Sequence, residues 1–268
     1  MKPSQSVGLM QTVENATDLF IGTRWCETLS RTRAPRARLL CFHHAGGSSS
    51  AYIPWVTQVV DTVELIAIQL PGRGRRQLEA PLANWKPAVE GIYAAVCASI
   101  RDDKPLALFG HSLGALLAYE LACLLQARQV LACRRLYVSG KGAPHRPHTE
   151  PPLHDLPTQE LVERLRVFDG TPAPVLEDPE LMEILLPVLR ADFAMFDSYV
   201  HKPRPRLLCP ITAFGGTRDE WVRCEEIDAW AELTASGFRS VIFEGGHFFI
   251  QAHVRELVAT VMRDMESL

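Results

Sequence analysis

Leu106-Ala107-Leu108-Phe109-Gly110-His111-Ser112-Leu113-Gly114 is the stretch that decides the fold. Its four leading apolar residues read as a buried strand, and the glycines allow a tight turn with a serine at the corner. The Ala/Leu-rich residues 115–125 then read as a helix, so the hydroxyl of Ser112 projects at the end of a sheet. At this chain's own glycine and serine frequencies, a G-x-S-x-G match arises by chance only about 0.05 times. An ordinary glycine-rich turn is the poorer reading, and Ser112 is a candidate nucleophile.

Around this turn, apolar strands alternate with helical stretches. Strands are expected at 38–42, 63–69, 106–109, 135–139, 207–214 and 240–243. Helices are expected at 51–60, 87–100, 113–126, 225–233 and 248–265. Such alternation implies an α/β fold, a mostly parallel sheet with helices on both faces. Residues 1–36 form an irregular N-terminal extension, with Trp25 expected to anchor it against the body. Residues 37–142 and 206–268 form the core.

Residues 143–205 break the rhythm, because about 65 residues separate Ser139 from the next strand, too many for a plain connection. Residues 143–157 read as a Pro/His-rich linker and 158–168 as a short helix. Asp178 then caps a helix that starts at Pro179. Along it Leu181, Ile184, Leu185, Val188, Leu189, Phe193 and Phe196 recur at three and four residues, and Pro187 should kink it. Helices inserted opposite the strand ends suit a lid over an apolar pocket.

The bulk properties narrow the function. With 268 residues, 47% hydrophobic and 22% charged, the composition is that of an ordinary globular protein. A net charge of −3 gives no pull toward nucleic acid or anionic membrane. No apolar run approaches a membrane span, and no secretory signal pattern opens the chain. Seven cysteines include no C-x-x-C pair, and Cys41, Cys123 and Cys209 look like small core residues. That usage suits a reducing cytoplasm.

A serine needs a base, and the base needs an orienting acid. On this architecture they should follow in the order Ser, acid, His, each beyond a later strand. The strand ending at Phe214 runs into Gly215-Gly216-Thr217-Arg218-Asp219, and the one ending at Phe243 runs into Glu244-Gly245-Gly246-His247. Asp219 and His247 are therefore the expected partners of Ser112. Glu220 stays open as the acid because it is adjacent, whereas Asp228 lies in a helix and Asp192 in the insertion helix. His201 and His253 follow no strand. For the oxyanion, backbone N–H donors are expected at Leu113 and at Ala45, in the loop His43-His44-Ala45-Gly46-Gly47. The two histidines there lack a third ligand at metal-like spacing, so no metal is expected. Arg73, Arg75 and Arg76 follow a strand that should end on the active-site face. They could meet a phosphate or an acidic partner, with a solvated basic loop as the competing reading.

Several motifs together resemble one family. These are residues 42–48 (Phe-His-His-Ala-Gly-Gly-Ser), 70–76 (Leu-Pro-Gly-Arg-Gly-Arg-Arg), 110–114, 189–193 (Leu-Arg-Ala-Asp-Phe) and 246–249 (Gly-His-Phe-Phe). The combination resembles the type II thioesterases, the external, stand-alone enzymes that accompany polyketide and nonribosomal peptide synthetases. The turn alone would fit any α/β-hydrolase, and the other loops make the likeness specific. It covers roughly Leu39 to Met262, with His43 standing where the family usually has Pro.

The resemblance implies an α/β-hydrolase fold and a triad at Ser112, Asp219 and His247. It further implies hydrolysis of acyl thioesters on the phosphopantetheine arm of acyl or peptidyl carrier proteins. The biological setting would be antibiotic or siderophore biosynthesis, as editing of stalled chains or release of products. No cofactor is required, and a monomer is expected. Two other readings remain from the residues: a small-molecule carboxylesterase or lipase, and a non-catalytic α/β-hydrolase relative that binds an apolar ligand.

Overall fold

The computed structural model describes residues 24–30, 32, 34–146 and 151–268. Most of the N-terminal extension and part of the 143–157 linker thus lie outside the described residues. In chain order the elements are β1 (Cys26–Thr28), β2 (Ala37–Phe42), β3 (Val63–Ile68), α1 (Trp85–Ser99), β4 (Leu106–His111), α2 (Leu113–Arg128) and β5 (Cys133–Ser139). The insertion carries α3 (Thr158–Phe168), α4 (Ala173–Glu177) and α5 (Pro179–Asp197). Then follow β6 (Ile211–Gly216), α6 (Cys224–Asp228), β7 (Phe238–Phe243), α7 (Phe249–Ala252) and α8 (Val254–Met265).

The strands form one sheet in the order β1-β3-β2-β4-β5-β6-β7. Every neighbouring pair is parallel except β1 with β3. A parallel sheet is covered on both faces, which is why the inner strands β3 and β4 read as nearly unbroken apolar runs. Leu40, Phe42, Ile66, Leu108 and Val138 face α1 and α2. Their neighbours Leu39, Cys41, Leu65, Phe109 and Tyr137 face α8. The chain steps outward from β2 to β3, then returns across β2 to β4. The carboxyl ends of β2 and β4 therefore sit side by side where the order reverses, the place where open α/β sheets bind ligands.

Some boundaries depart from expectation for local reasons. The stretch expected as a helix over 51–60 is a 3-10 turn, Ser49–Trp55, with Pro54 inside it. β6 starts at Ile211, not 207, because Pro210 has no N–H to give the ladder; Leu207 forms only a bridge to Thr234. The expected helix 225–233 is α6 followed by a 3-10 turn, Ala229–Leu233. That expected over 248–265 breaks at His253, whose ring Nε2 lies 2.8 Å from the carbonyl oxygen of Glu244. The short antiparallel β1 was not foreseen. Beside it Trp25 docks as expected: its carbonyl accepts from the N–H of Gln69 (2.9 Å) and Arg76 stacks 4.0 Å over its ring.

In the insertion, the Asp178 carboxylate accepts from the N–H groups of Glu180 (2.9 Å) and Leu181 (3.1 Å), opening α5 as a capped helix. Leu161, Leu165, Leu176, Met182, Leu189 and Phe193 make a separate apolar cluster that packs on Ala45. The stripe along α5 is not buried throughout: Leu181 and Ile184 are exposed. α5 continues past Pro187. No described helix is long and apolar enough to cross a membrane.

Candidate active site

β4 runs through His111 directly into Ser112, and α2 begins one residue later. Ser112 itself takes the left-handed turn, with φ 55° and ψ −118°. A non-glycine residue held there costs about 1–3 kcal/mol, strain that persists only where the surroundings enforce it. The glycines serve close approach, not positive φ. A Cβ on Gly110 would fall 2.1 Å from the carbonyl oxygen of Gly114, and one on Gly114 would fall 2.1 Å from that of Phe42. The turn is fastened to β5 by a hydrogen bond from the Ser112 N–H to the Ser139 carbonyl (2.8 Å).

Asp219 lies three residues beyond β6, and His247 four residues beyond β7. The two loops are laced by bonds from the N–H of Thr217 to the carbonyl of Phe243 and from Arg218 to Gly245, both 2.8 Å. That lacing sets Asp219 Oδ2 2.8 Å from His247 Nδ1. The other oxygen, Oδ1, accepts from the N–H groups of Trp221 (2.9 Å) and Val222 (3.2 Å), and the carboxylate is fully buried. Glu220 and Asp228 are exposed instead. His201 and His253 lie beside Tyr199 and Glu244, outside this arrangement.

Ser112, Leu113, Ala45 and His247 line one cavity. Phe168 from α3 and Phe193 and Phe196 from α5 close over it, together with Trp221. Phe168 stacks on Trp221 at 4.3 Å and reaches within 5.7 Å of the His247 ring. Ser, His and Asp at the ends of β4, β7 and β6, opening on an apolar cavity, form an arrangement suited to acyl transfer.

Comparison with known proteins agrees. Residues 37–265 match the family model for the thioesterase domain. The gramicidin S biosynthesis protein GrsT of Aneurinibacillus migulanus is 37% identical over 242 residues, which span 90% of this chain and 94% of that protein. Among solved structures, the type II thioesterase BorB from the borrelidin biosynthetic cluster superposes with a TM-score of 0.83 at 34% identity, covering 91% of this chain and 98% of that one. RedJ, a thioesterase of the prodiginine pathway in Streptomyces coelicolor, gives 0.82 at 36% identity, covering 88% and 93%. This chain belongs to the thioesterase family. It has the α/β-hydrolase fold of these structures and is a hydrolase of thioesters, of the type II kind.

The thioesterase keeps a second buried carboxylate on the insertion. Asp192 on α5 is fully buried and forms a two-pronged ion pair with Arg73, whose Nη2 lies 2.8 Å from Oδ1. Its Oδ2 also accepts the N–H of Gly46 (2.7 Å). The insertion helix thus grips the 43–47 loop beside Ala45. Gly46, at φ +74°, lies so close to α5 that a Cβ would meet Leu189 at 2.5 Å. The sequence alone does not show this linkage, offering Asp192 only as a rival acid and Arg73 as a partner contact. Its signal was an aspartate within an apolar helical stripe, which must find a cation when buried.

The arginine loop is corrected accordingly. Arg73 is held by Asp192, and Arg76 is buried between Trp25, the Gln69 carbonyl and Glu79. Neither guanidinium is available to a phosphate. Arg75 alone is exposed, 3.7 Å from Glu27.

Three further histidines ring the site. His43 is buried with Nδ1 at 2.8 Å from the His44 carbonyl oxygen, and His111 is buried with Nδ1 at 3.0 Å from the Ser139 hydroxyl. Burial holds both well below the ordinary histidine pKa. His44 is lowered to about 4 by burial first, then by His247 and Arg73. All three are therefore neutral near pH 7.

Proposed function

We propose that this thioesterase hydrolyses acyl groups from the phosphopantetheine arm of carrier proteins through an acyl-serine at Ser112. The observation that carries the mechanism is the buried Asp219–His247 pair at 2.8 Å, opening on the cavity that Ser112 lines. Asp219 holds the proton on His247 Nδ1, leaving Nε2 to accept the Ser112 proton as Oγ attacks the thioester carbonyl. The developing oxyanion is met by the N–H of Leu113, which at the first position of α2 has no intrahelical acceptor, and by that of Ala45. The C–S bond breaks and the thiol departs with the proton from His247. Water, deprotonated by His247, then cleaves the acyl-serine.

A thiol with a pKa near 8.5 leaves more readily than an alcohol or amine, so serine activation and oxyanion binding carry most of the acceleration. The carrier assignment rests on the relatives, which include GrsT of gramicidin S biosynthesis and BorB of the borrelidin cluster. The seven unbridged cysteines are consistent with a reducing, cytoplasmic setting.

The test is to incubate the enzyme with acylated carrier proteins, acyl-CoA and p-nitrophenyl esters and to follow acyl loss by mass spectrometry. Carrier-bound acyl groups should be the best substrates by kcat/KM. A clear preference for the p-nitrophenyl esters would make it a carboxylesterase instead.

A further inference from the structure

One charged group in the acyl cavity has no task in the mechanism above. β5 ends at Ser139, the chain turns at Gly140 (φ +57°), and Lys141 follows on the cavity wall with Ser112 and Phe196. Its backbone is pinned: the Lys141 carbonyl accepts from the Trp230 indole N–H (2.7 Å), and the Ala143 N–H bonds to the Glu226 carbonyl (3.0 Å). The ammonium lies 4.9 Å from the centre of the Phe196 ring, with no carboxylate in salt-bridge range among the described residues.

Two other cations around the site are matched. Arg146 pairs with Glu232 and Arg73 with Asp192. Glu226 also lines the cavity, but its carboxylate is turned back on the start of α6, where it accepts the Arg223 N–H (2.9 Å). Burial lowers the Lys141 pKa to about 8 despite Glu226, so the side chain is mostly charged at pH 7. A half-buried ammonium on a largely apolar wall, with no carboxylate in salt-bridge range among the described residues, gains a charge-assisted hydrogen bond from a ligand that brings one.

We propose that Lys141 is a specificity-determining residue that selects acyl chains carrying a carboxylate, so that the preferred substrates are monothioesters of dicarboxylic acids. The inference rests on the reading of Ser112 as the acyl acceptor in this cavity. The aromatic rings from the insertion hold the methylene chain, and Lys141 pairs with the distal carboxylate.

The experiment compares kcat/KM for N-acetylcysteamine thioesters, glutaryl against pentanoyl and adipyl against hexanoyl. These carry no phosphate, so they isolate the acyl group from the pantetheine arm. In the unaltered enzyme at least one carboxylated member should exceed its alkyl counterpart by roughly tenfold or more. Lys141→Met should reverse that ratio, with Lys141→Arg retaining most of it. An unaltered enzyme that prefers the alkyl member of both pairs overturns the proposal whether or not the variants fold. So does a Lys141→Met effect confined to CoA or carrier substrates, which would assign the ammonium to the arm's phosphate. If no thioester in either series is hydrolysed and Ser112 takes up no acyl group, the reading of Ser112 fails, and the selectivity proposal falls with it.

Discussion

Asp219 and Asp192 are both aspartates with fully buried carboxylates, each bonded to a residue or loop of the active site, yet they hold different things. Asp219 comes from a loop laced to the sheet and faces an imidazole, with its spare lone pairs taken by two backbone N–H groups. Asp192 comes from the insertion and faces a guanidinium and a loop N–H. The first sets the tautomer of the proposed base. The second fixes the backbone that carries the proposed oxyanion donor Ala45. A buried carboxylate near an active site therefore reveals its role through the side chain it faces, not through its burial.

Replacing each acid in turn should separate the two roles. Asp219→Asn keeps the shape but presents a donor to His247 Nδ1, so kcat should fall by about 10⁴-fold with the substrate KM little changed. Steady-state kinetics on one acyl thioester would check this, and a loss below tenfold would contradict the assignment. Asp192→Asn should instead lower unfolding stability by about 3–5 kcal/mol, because Arg73 is left buried without its counter-charge. Urea denaturation reads that loss. Adding Arg73→Met in the same chain should restore part of it, and additive losses would show that the pair is not coupled.

The histidines around the site give a weaker, pH-dependent effect. In the folded chain His44 has its pKa lowered to about 4, against about 6.5 when unfolded. Below pH 6.5 the unfolded chain therefore binds a proton that the folded chain refuses. Stability that is complete above pH 6.5 is lost as the pH falls toward 4. For His44 alone the loss between pH 7 and pH 5 is about 2 kcal/mol, and His43 and His111 act in the same direction. Denaturation curves at the two pH values test it, and His44→Leu should flatten the difference. The smallest expected effect lies in the arginine loop. Arg75→Glu should slow carrier-bound substrate by only about 2–5-fold, as befits one exposed charge, and leave a small acyl thioester unchanged.

Much of this was legible in the chain because parallel strands bury both faces and leave apolar runs that cannot be mistaken for polar loops. The turn at Ser112 and the loops after β6 and β7 follow from that frame, since each candidate side chain sits a few residues past a strand. What could not be read depends on partners distant in sequence. Asp192 and Arg73 are 119 residues apart, and only the folded insertion brings them together. β1 has three residues and gains its identity from pairing with β3, not from any pattern of its own. The break at His253 arises from a side-chain contact to Glu244, invisible in the helical periodicity on either side.

The most direct measurement is rapid-quench peptide mapping during turnover of an acyl thioester. The mechanism predicts a transient mass increase of one acyl group on the peptide containing Ser112, absent from Ser112→Ala, which should have no measurable turnover. Full activity in Ser112→Ala, or an acyl adduct on any other residue, would contradict it.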